Sequence, residues 1–148
     1  MFSKVVYTIG YDYRLFDDFI KILKHYMITK LVDVRRFPKS KLFVYRKDVL
    51  EKVLPLYGIN YYWLGYELGG FRGGYLKYMS SQEFRLGIKK LIDIIIEPGY
   101  GYTCIMCLEK NPRYCHRRYI AEELCRRGFQ VLHIIDLGNT LTHVSSLL

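Results

Sequence analysis

Between Cys107 and Arg118 the chain reads CLEKNPRYCHRR, a run of twelve residues that holds two cysteines, a glutamate, a histidine and three arginines. Thiolates are nucleophiles, imidazole exchanges protons near neutral pH, and a guanidinium grips carboxylate or phosphate through two parallel hydrogen bonds. Cys107, Glu109, Cys115 and His116 are therefore the candidates for nucleophile and proton work, with Arg117 and Arg118 as candidates for holding an anion. A structural hydrogen bond from His116 to Asp33 or Glu109 would explain that histidine equally well. Cys107 and Arg113 also have the Cys-x5-Arg spacing of cysteine phosphatases. The loop between them contains Glu109 and Pro112 but no glycine, so a cradle of backbone N–H groups around an anion would be repelled and obstructed.

The four cysteines divide by position. Cys104 and Cys107 have Cys-x-x-Cys spacing, yet a strand turns residues three apart to opposite faces, so the pair cannot serve one zinc ion while the strand is intact. Cys104 and Cys125 read as small core residues. No metal set and no cofactor is expected. Cys107 and Cys115 are expected to be thiols and not a bridge, since a disulfide needs Cα atoms about 4.4–6.8 Å apart and a reducing compartment disfavours it.

Polar groups elsewhere fall at comparable places. Gly10 and Tyr11 follow a first β-rich run, Asp33 and Arg35 end a second, with Arg36, Lys39 and Lys41 behind them, and Arg72 lies in the glycine-rich segment GGFRGG. A carboxylate at the end of an apolar strand needs a partner, so Asp33 reads either as an ion pair with an arginine or as a catalytic group. The glycine-rich segment lacks the Lys-Ser/Thr pair of a P-loop, and no Gly-x-Gly-x-x-Gly occurs, which lowers the weight of ATP and NAD.

These groups have to be positioned by the elements between them. Strand-like runs at Lys4–Ile9, Lys30–Val34, Ile59–Leu64, Tyr102–Leu108 and Gln130–Ile135 alternate with helical stripes: Leu15 to Met27, a short helix at 49–54 ended by Pro55, Phe84 to Ile95, and Cys115 to Arg127 stopped by Gly128. Ser80 and Glu83 have capping-box spacing for the third helix. Residues 137–148 read as a weakly patterned tail. Alternation of this kind specifies an α/β fold: a single three-layer αβα domain, with a core over about 4–135 and a mostly parallel sheet of about five strands, the near-continuous apolar run 102–108 at its centre. Ligands of such sheets bind beyond the carboxyl ends of the strands, where all four polar clusters fall. Asp33, Arg35, Glu109, His116 and Arg117 are thus expected in one connected pocket. His25 and His133 have no clustered partners and read as structural.

The chain has 148 residues, 51% of them apolar, and a net charge of +9. No apolar run approaches the roughly 20 residues needed to cross a bilayer. The first residues lead directly into a strand without a signal-peptide pattern, so the expected setting is cytoplasmic, with no membrane partner. The positive balance favours an anionic partner: a nucleotide, nucleic acid or phosphorylated metabolite. Oligomeric state is not legible.

Taken in order, Thr8-Ile-Gly10, Leu31-Val-Asp33-Val-Arg35 with Pro38, Leu68-Gly-Gly70 with Arg72, Tyr78-Met79 before Glu83-Phe84, and Cys107-x-Glu109 leading to Cys115-His116-Arg117 resemble the domain of unknown function 488 family. The resemblance runs over about 4–135, its final cluster is the most specific part, and it implies a compact α/β domain whose motif residues share a site. The chain departs from the pattern at Tyr11, where members often carry histidine. A looser similarity, in the order of an Asp-Val-Arg strand end and a cysteine loop before a helix, is to rhodanese-like domains and keeps sulfur transfer among the chemistries to weigh. Two functions follow as expectations: an enzyme acting on a nucleotide, nucleic acid or other phosphorylated substrate, or a non-catalytic nucleic-acid- or partner-binding module whose basic loops contact phosphates and whose tyrosines stack on bases.

Overall fold

The structure is a computed structural model that describes residues 4–70 and 73–144. Its strands are β1 (Val5–Gly10), β2 (Ile28–Asp33), β3 (Asn60–Trp63), β4 (Tyr102–Cys107), β5 (Gln130–Asp136) and β6 (Asn139–Thr142). The helices are α1 (Phe16–His25), α2 (Lys47–Val53), α3 (Gly65–Leu68), α4 (Tyr75–Tyr78), α5 (Gln82–Ile96) and α6 (Arg117–Arg126). The six strands form one sheet in the order β3-β2-β4-β1-β5-β6. Every pairing among the first five is parallel, and β6 alone runs antiparallel, against β5.

Strand β4, buried from Thr103 to Cys107, lies inside the sheet between β2 and β1, as its apolar run requires, and its side chains alternate between two cores. Cys104 and Met106 face the layer of α1 and α2, beside Phe19, Leu23, Leu31 and Leu50. Ile105 and Cys107 face the layer of α5 and α6, beside Phe84, Ile88, Leu91, Ile120 and Leu124. This is the three-layer αβα arrangement. Burying a side chain such as Leu91 or Ile120 contributes roughly 1.5–3 kcal/mol over leaving it in water.

Several boundaries differ from the sequence expectation. Ser81, not Ser80, caps α5, its hydroxyl accepting from the Phe84 amide at 3.1 Å, because Ser80 is still in the turn after α4, where its amide bonds to Lys77. The last helix begins at Arg117, after a 3-10 turn at Pro112–Tyr114. It ends as foreseen at Gly128: the Phe129 amide reaches back to Leu124 and the Gly128 amide to Cys125, with Gly128 at φ 94°. Cys125, expected in the core, is half-buried against it. The tail contributes β6, which turns back at Gly138 and pairs with β5, while residues 145–148 lie outside the described residues. Among the described residues no helix is long and apolar enough to cross a membrane.

Candidate functional site

At the carboxyl edge of the sheet the expected single pocket is divided in two by the sheet itself. Asp33 pairs in register with Met106, so both point toward the α1–α2 layer, while Cys107, one residue on, points the other way. Asp33 is fully buried, and Arg35 grips it bidentately, Nε at 2.9 Å from Oδ1 and Nη2 at 2.7 Å from Oδ2. The Arg35 amide and the Tyr61 hydroxyl donate to the same carboxylate. Burial alone would lower the pKa of the Arg35 guanidinium, but its bonds to Asp33 outweigh that and raise it. Tyr11 is buried, 4.4 Å from the Tyr45 ring, with the Arg35 guanidinium 5.1 Å above its own. Asp33, Arg35 and Tyr11 therefore build a closed ion pair under an aromatic lid and do not join the cysteine cluster. The ion-pair reading of Asp33 is the one that fits.

On the opposite face, the end of β4 and the stretch just before α6 bring Cys107, Cys115 and His116 together. Cys107 ends β4. The loop after it crosses directly over Gly10, where a β-carbon would stand 1.8 Å from the Glu109 carbonyl oxygen. The expected binding role of Gly10 thus becomes one of clearance. Asn111 accepts from the Arg113 amide at 3.0 Å and Pro112 starts the 3-10 turn, which returns the chain to Cys115 and His116. Arg117, fully buried, secures that loop: it donates to the Thr8 hydroxyl at 3.0 Å and to the carbonyls of Glu109 at 2.5 Å and Lys110 at 3.2 Å. Its expected contact with an anion is replaced by this structural task, because carbonyl groups absent from any sequence motif reach it first.

The imidazole of His116 lies 3.1 Å through Nε2 from the Val34 carbonyl, which can only accept, so the proton is on Nε2 and the Nδ1 lone pair points away. Nδ1 stands 3.8 Å from Cys107 Sγ and 4.0 Å from Cys115 Sγ. These three atoms all lie within 4.8 Å of one another, and both cysteines are free thiols. A hydrogen bond from Cys107 to Cys115, with burial, holds the Cys107 thiol pKa up. Burial would also raise that of Cys115, but its contacts with Cys107 and His116 bring it well down. Glu109 lies beside Cys115, and burial followed by that proximity raises its carboxyl pKa. Cys104, by contrast, is sealed in the other core and burial pushes its thiol pKa up.

An open cleft of about 480 Å³ leads to this cluster, lined by Gly70, Tyr75, Glu109, Arg113, Tyr114, Cys115, His116, Arg118 and Tyr119 among others. Tyr75 stacks on Tyr119 with ring centroids 5.5 Å apart and lies 5.2 Å from the His116 ring. The Arg118 guanidinium sits 4.7 Å above Tyr119 and donates to its hydroxyl at 2.7 Å. Arg113 and Tyr114 are exposed at the rim. Arg118 was foreseen from the sequence; Tyr75, Tyr114, Tyr119 and a rim position for Arg113 were not. The signal that could have found most of them is the repeated Arg-Tyr pair, Arg113-Tyr114 and Arg118-Tyr119, five residues apart. Arg72 lies outside the described residues. Glu67 turns away from the edge to pair with Lys90 of α5. Lys39 and Lys41 line a separate open hollow of about 600 Å³ with Pro38, Ser40, Arg46 and Asp48.

His133, expected to lack partners, belongs to a buried chain behind Arg117. Its Nδ1 is 2.6 Å from the Thr8 hydroxyl, its Nε2 is 3.0 Å from His143 Nδ1, and His143 Nε2 is 3.1 Å from Glu122. Burial first, then the Arg117 and His143 charges, pushes the His133 pKa down to about 3. His143 comes from the segment after β6, which the sequence pattern left as tail.

The profile of the family described as "Domain of unknown function DUF488" matches residues 16–124, which include the Asp33-Val-Arg35 and Cys107-to-Arg117 motifs. The chain belongs to this family. No curated protein and no solved structure matches it.

Proposed function

We propose that this member of the domain of unknown function DUF488 family is an enzyme that acts on a nucleotide, nucleic acid or other phosphorylated ligand held in the cleft over Cys107, Glu109, Cys115 and His116. One observation carries the reading: cations, aromatic rings and a cluster of reactive side chains converge on one opening. Arg113 and Arg118 supply guanidinium groups at the rim and wall, suited to phosphate oxygens, and the exposed Tyr114 supplies a face on which a base can stack, while Tyr75 and Tyr119, stacked on each other, form part of the wall. The cysteine and histidine side chains at the base of the cleft are the groups able to attack, bind or exchange protons with whatever those walls hold. The net charge of +9 favours the encounter with an anion.

A second reading, non-catalytic binding of nucleic acid, is favoured by the hollow around Lys39, Lys41 and Arg46, which contains none of the reactive cluster. Thermal unfolding with a panel of mononucleotides, oligonucleotides, pyrophosphate and phosphate separates the two. At a hundredfold excess over Kd a native-state ligand adds about 2.7 kcal/mol, or roughly 5–10 °C in Tm for a chain of this size. The enzyme reading expects such a shift with at least one panel member, its loss in Arg113→Ala/Arg118→Ala, and conversion of that ligand by the unaltered protein. No shift with any member would sink both readings. A shift lost only in Lys39→Ala/Lys41→Ala, without conversion, would favour the binding module.

A further inference from the structure

We infer that Cys107, Cys115 and His116 form a three-ligand site for a soft divalent metal ion, zinc in the first instance, with its fourth position facing the cleft. Three electron-pair donors from two places in the chain, Cys107 at the end of β4 and the adjacent Cys115 and His116, converge there, and the imidazole is oriented for the task. A metal-bound histidine characteristically donates its other ring N–H to a backbone carbonyl or carboxylate, which fixes the tautomer and aims the free lone pair. The Val34 carbonyl does this at 3.1 Å, leaving Nδ1 turned toward both sulfurs.

The spacing agrees with one shared ion. Zn–S bonds of 2.3 Å and Zn–N bonds of 2.0–2.1 Å at tetrahedral angles put sulfur and nitrogen about 3.6 Å apart and two sulfurs about 3.8 Å apart. The observed S···N separations are 3.8 Å and 4.0 Å, and all three donor atoms fall within 4.8 Å of each other. A plain hydrogen-bonded arrangement accounts for this less well. At 3.8 Å and 4.0 Å both S···N contacts are at the long limit of a hydrogen bond to sulfur, and Nδ1 stands almost equally far from each sulfur. A cation at the centre satisfies all three donors, the thiol protons passing to solvent as the ion enters.

Two thiolates and one neutral imidazole are a soft donor set, which selects zinc-like ions over magnesium or calcium. Their charges balance a divalent ion, so the centre is neutral. Three protein ligands with one position open is the pattern of catalytic and not of structural zinc. The open position lies toward the cleft because Cys115 and His116 both line it, as do Glu109 and Gly70. Gly70 keeps the approach clear, since a β-carbon there would stand 3.4 Å from Nδ1. The Cys-x-x-Cys pair of the sequence is not this site, because Cys104 faces the opposite core. The presence of the ion is independent of the proposed substrate. Its use, to polarise a phosphoryl or carbonyl oxygen or activate a water, rests on the phosphorylated-ligand reading.

The test is metal content of the full chain purified without chelator, followed by removal of the metal and titration with Co²⁺. The expected result is one zinc per chain and, with cobalt, tetrahedral absorption with sulfur-to-cobalt charge transfer. Cys107→Ala, Cys115→Ser and His116→Gln, each checked for folding by circular dichroism, should lose at least tenfold in cobalt affinity, while Cys125→Ser keeps it. Absence of zinc together with failure to take up cobalt at micromolar concentration would overturn the inference, as would cobalt affinity unchanged in folded Cys115→Ser and His116→Gln. Ligand-induced Tm shifts measured on both the metal-free and the metal-loaded protein keep the outcomes separate. A shift without any metal uptake removes the metal site and leaves the phosphorylated-ligand reading standing; metal uptake without any shift does the reverse.

Discussion

Two polar clusters occupy the same edge of one sheet, on opposite faces, and they are built to different ends. The Asp33–Arg35–Tyr61 group is closed: the carboxylate accepts from the Arg35 guanidinium, the Arg35 amide and the Tyr61 hydroxyl, and it has no exposed surface. The Cys107–Cys115–His116 group is open: its three donor atoms lie within 4.8 Å of one another, and a cleft lined by Cys115 and His116 ends on it. Buried charge whose partners lie within the fold stabilises and specifies that fold. Convergent donors left incomplete beside an opening are what a ligand completes. Charge and residue type alone do not distinguish these cases; whether the group is sealed inside the fold or lies beside an opening does.

The largest expected effect breaks the closed cluster. Asp33→Ala leaves the Arg35 guanidinium buried without its counter-ion, and removing one partner of such a pair costs about 3–5 kcal/mol. Urea unfolding should show that loss as a lower midpoint, while cobalt titration of the remaining folded protein gives the affinity of the unaltered chain. A loss under about 1 kcal/mol would mean that the pair is not the structural element its geometry implies, against the ordinary range for single substitutions.

An intermediate effect is expected from the histidine chain behind the open cluster. The folded pKa of His133 is about 3, below the ordinary 6.5, so the unfolded chain binds a proton that the folded chain refuses. Stability is therefore complete well above pH 6.5 and falls as pH drops toward 3, by roughly 1–2 kcal/mol between pH 6.5 and 5. Urea midpoints across that interval should decline in the unaltered protein and decline less in His133→Gln. Equal slopes in the two proteins would exclude His133 as the source.

The smallest expected effect sharpens the contrast. Arg113 is exposed at the cleft rim, so Arg113→Ala should change the unfolding free energy by no more than about 0.5 kcal/mol, the usual bound for surface positions. A larger loss in the same urea experiment would place Arg113 in the supporting structure and remove it from the cleft's working groups.

Much of the architecture was legible in one dimension. The apolar run of β4, the stripe of α5 and the Gly128 stop of α6 are local patterns, and local patterns survive folding unchanged because backbone geometry sets their periods. The site was legible as residue types and as an edge. Its division was not, although the same two-residue alternation that separated Cys104 from Cys107 also separates Asp33 from Cys107 once the register Asp33 to Met106 is known. Arg117 shows the limit from another side: no motif reveals that the carbonyls of Glu109 and Lys110 will occupy its guanidinium, because a backbone carbonyl belongs to every residue alike.

By itself, then, the sequence determined the α/β class, the order of strands and helices along the chain, the gathering of polar groups at strand ends, and a net charge of +9. Only tertiary structure decided which of those groups share a face, that His143 returns from the tail to meet His133, and that the Nδ1 of His116 points at two sulfurs. Each of these depends on strand register, loop return or the tautomer imposed by a distant carbonyl. Those are contacts between residues far apart in the chain, and no local period encodes them.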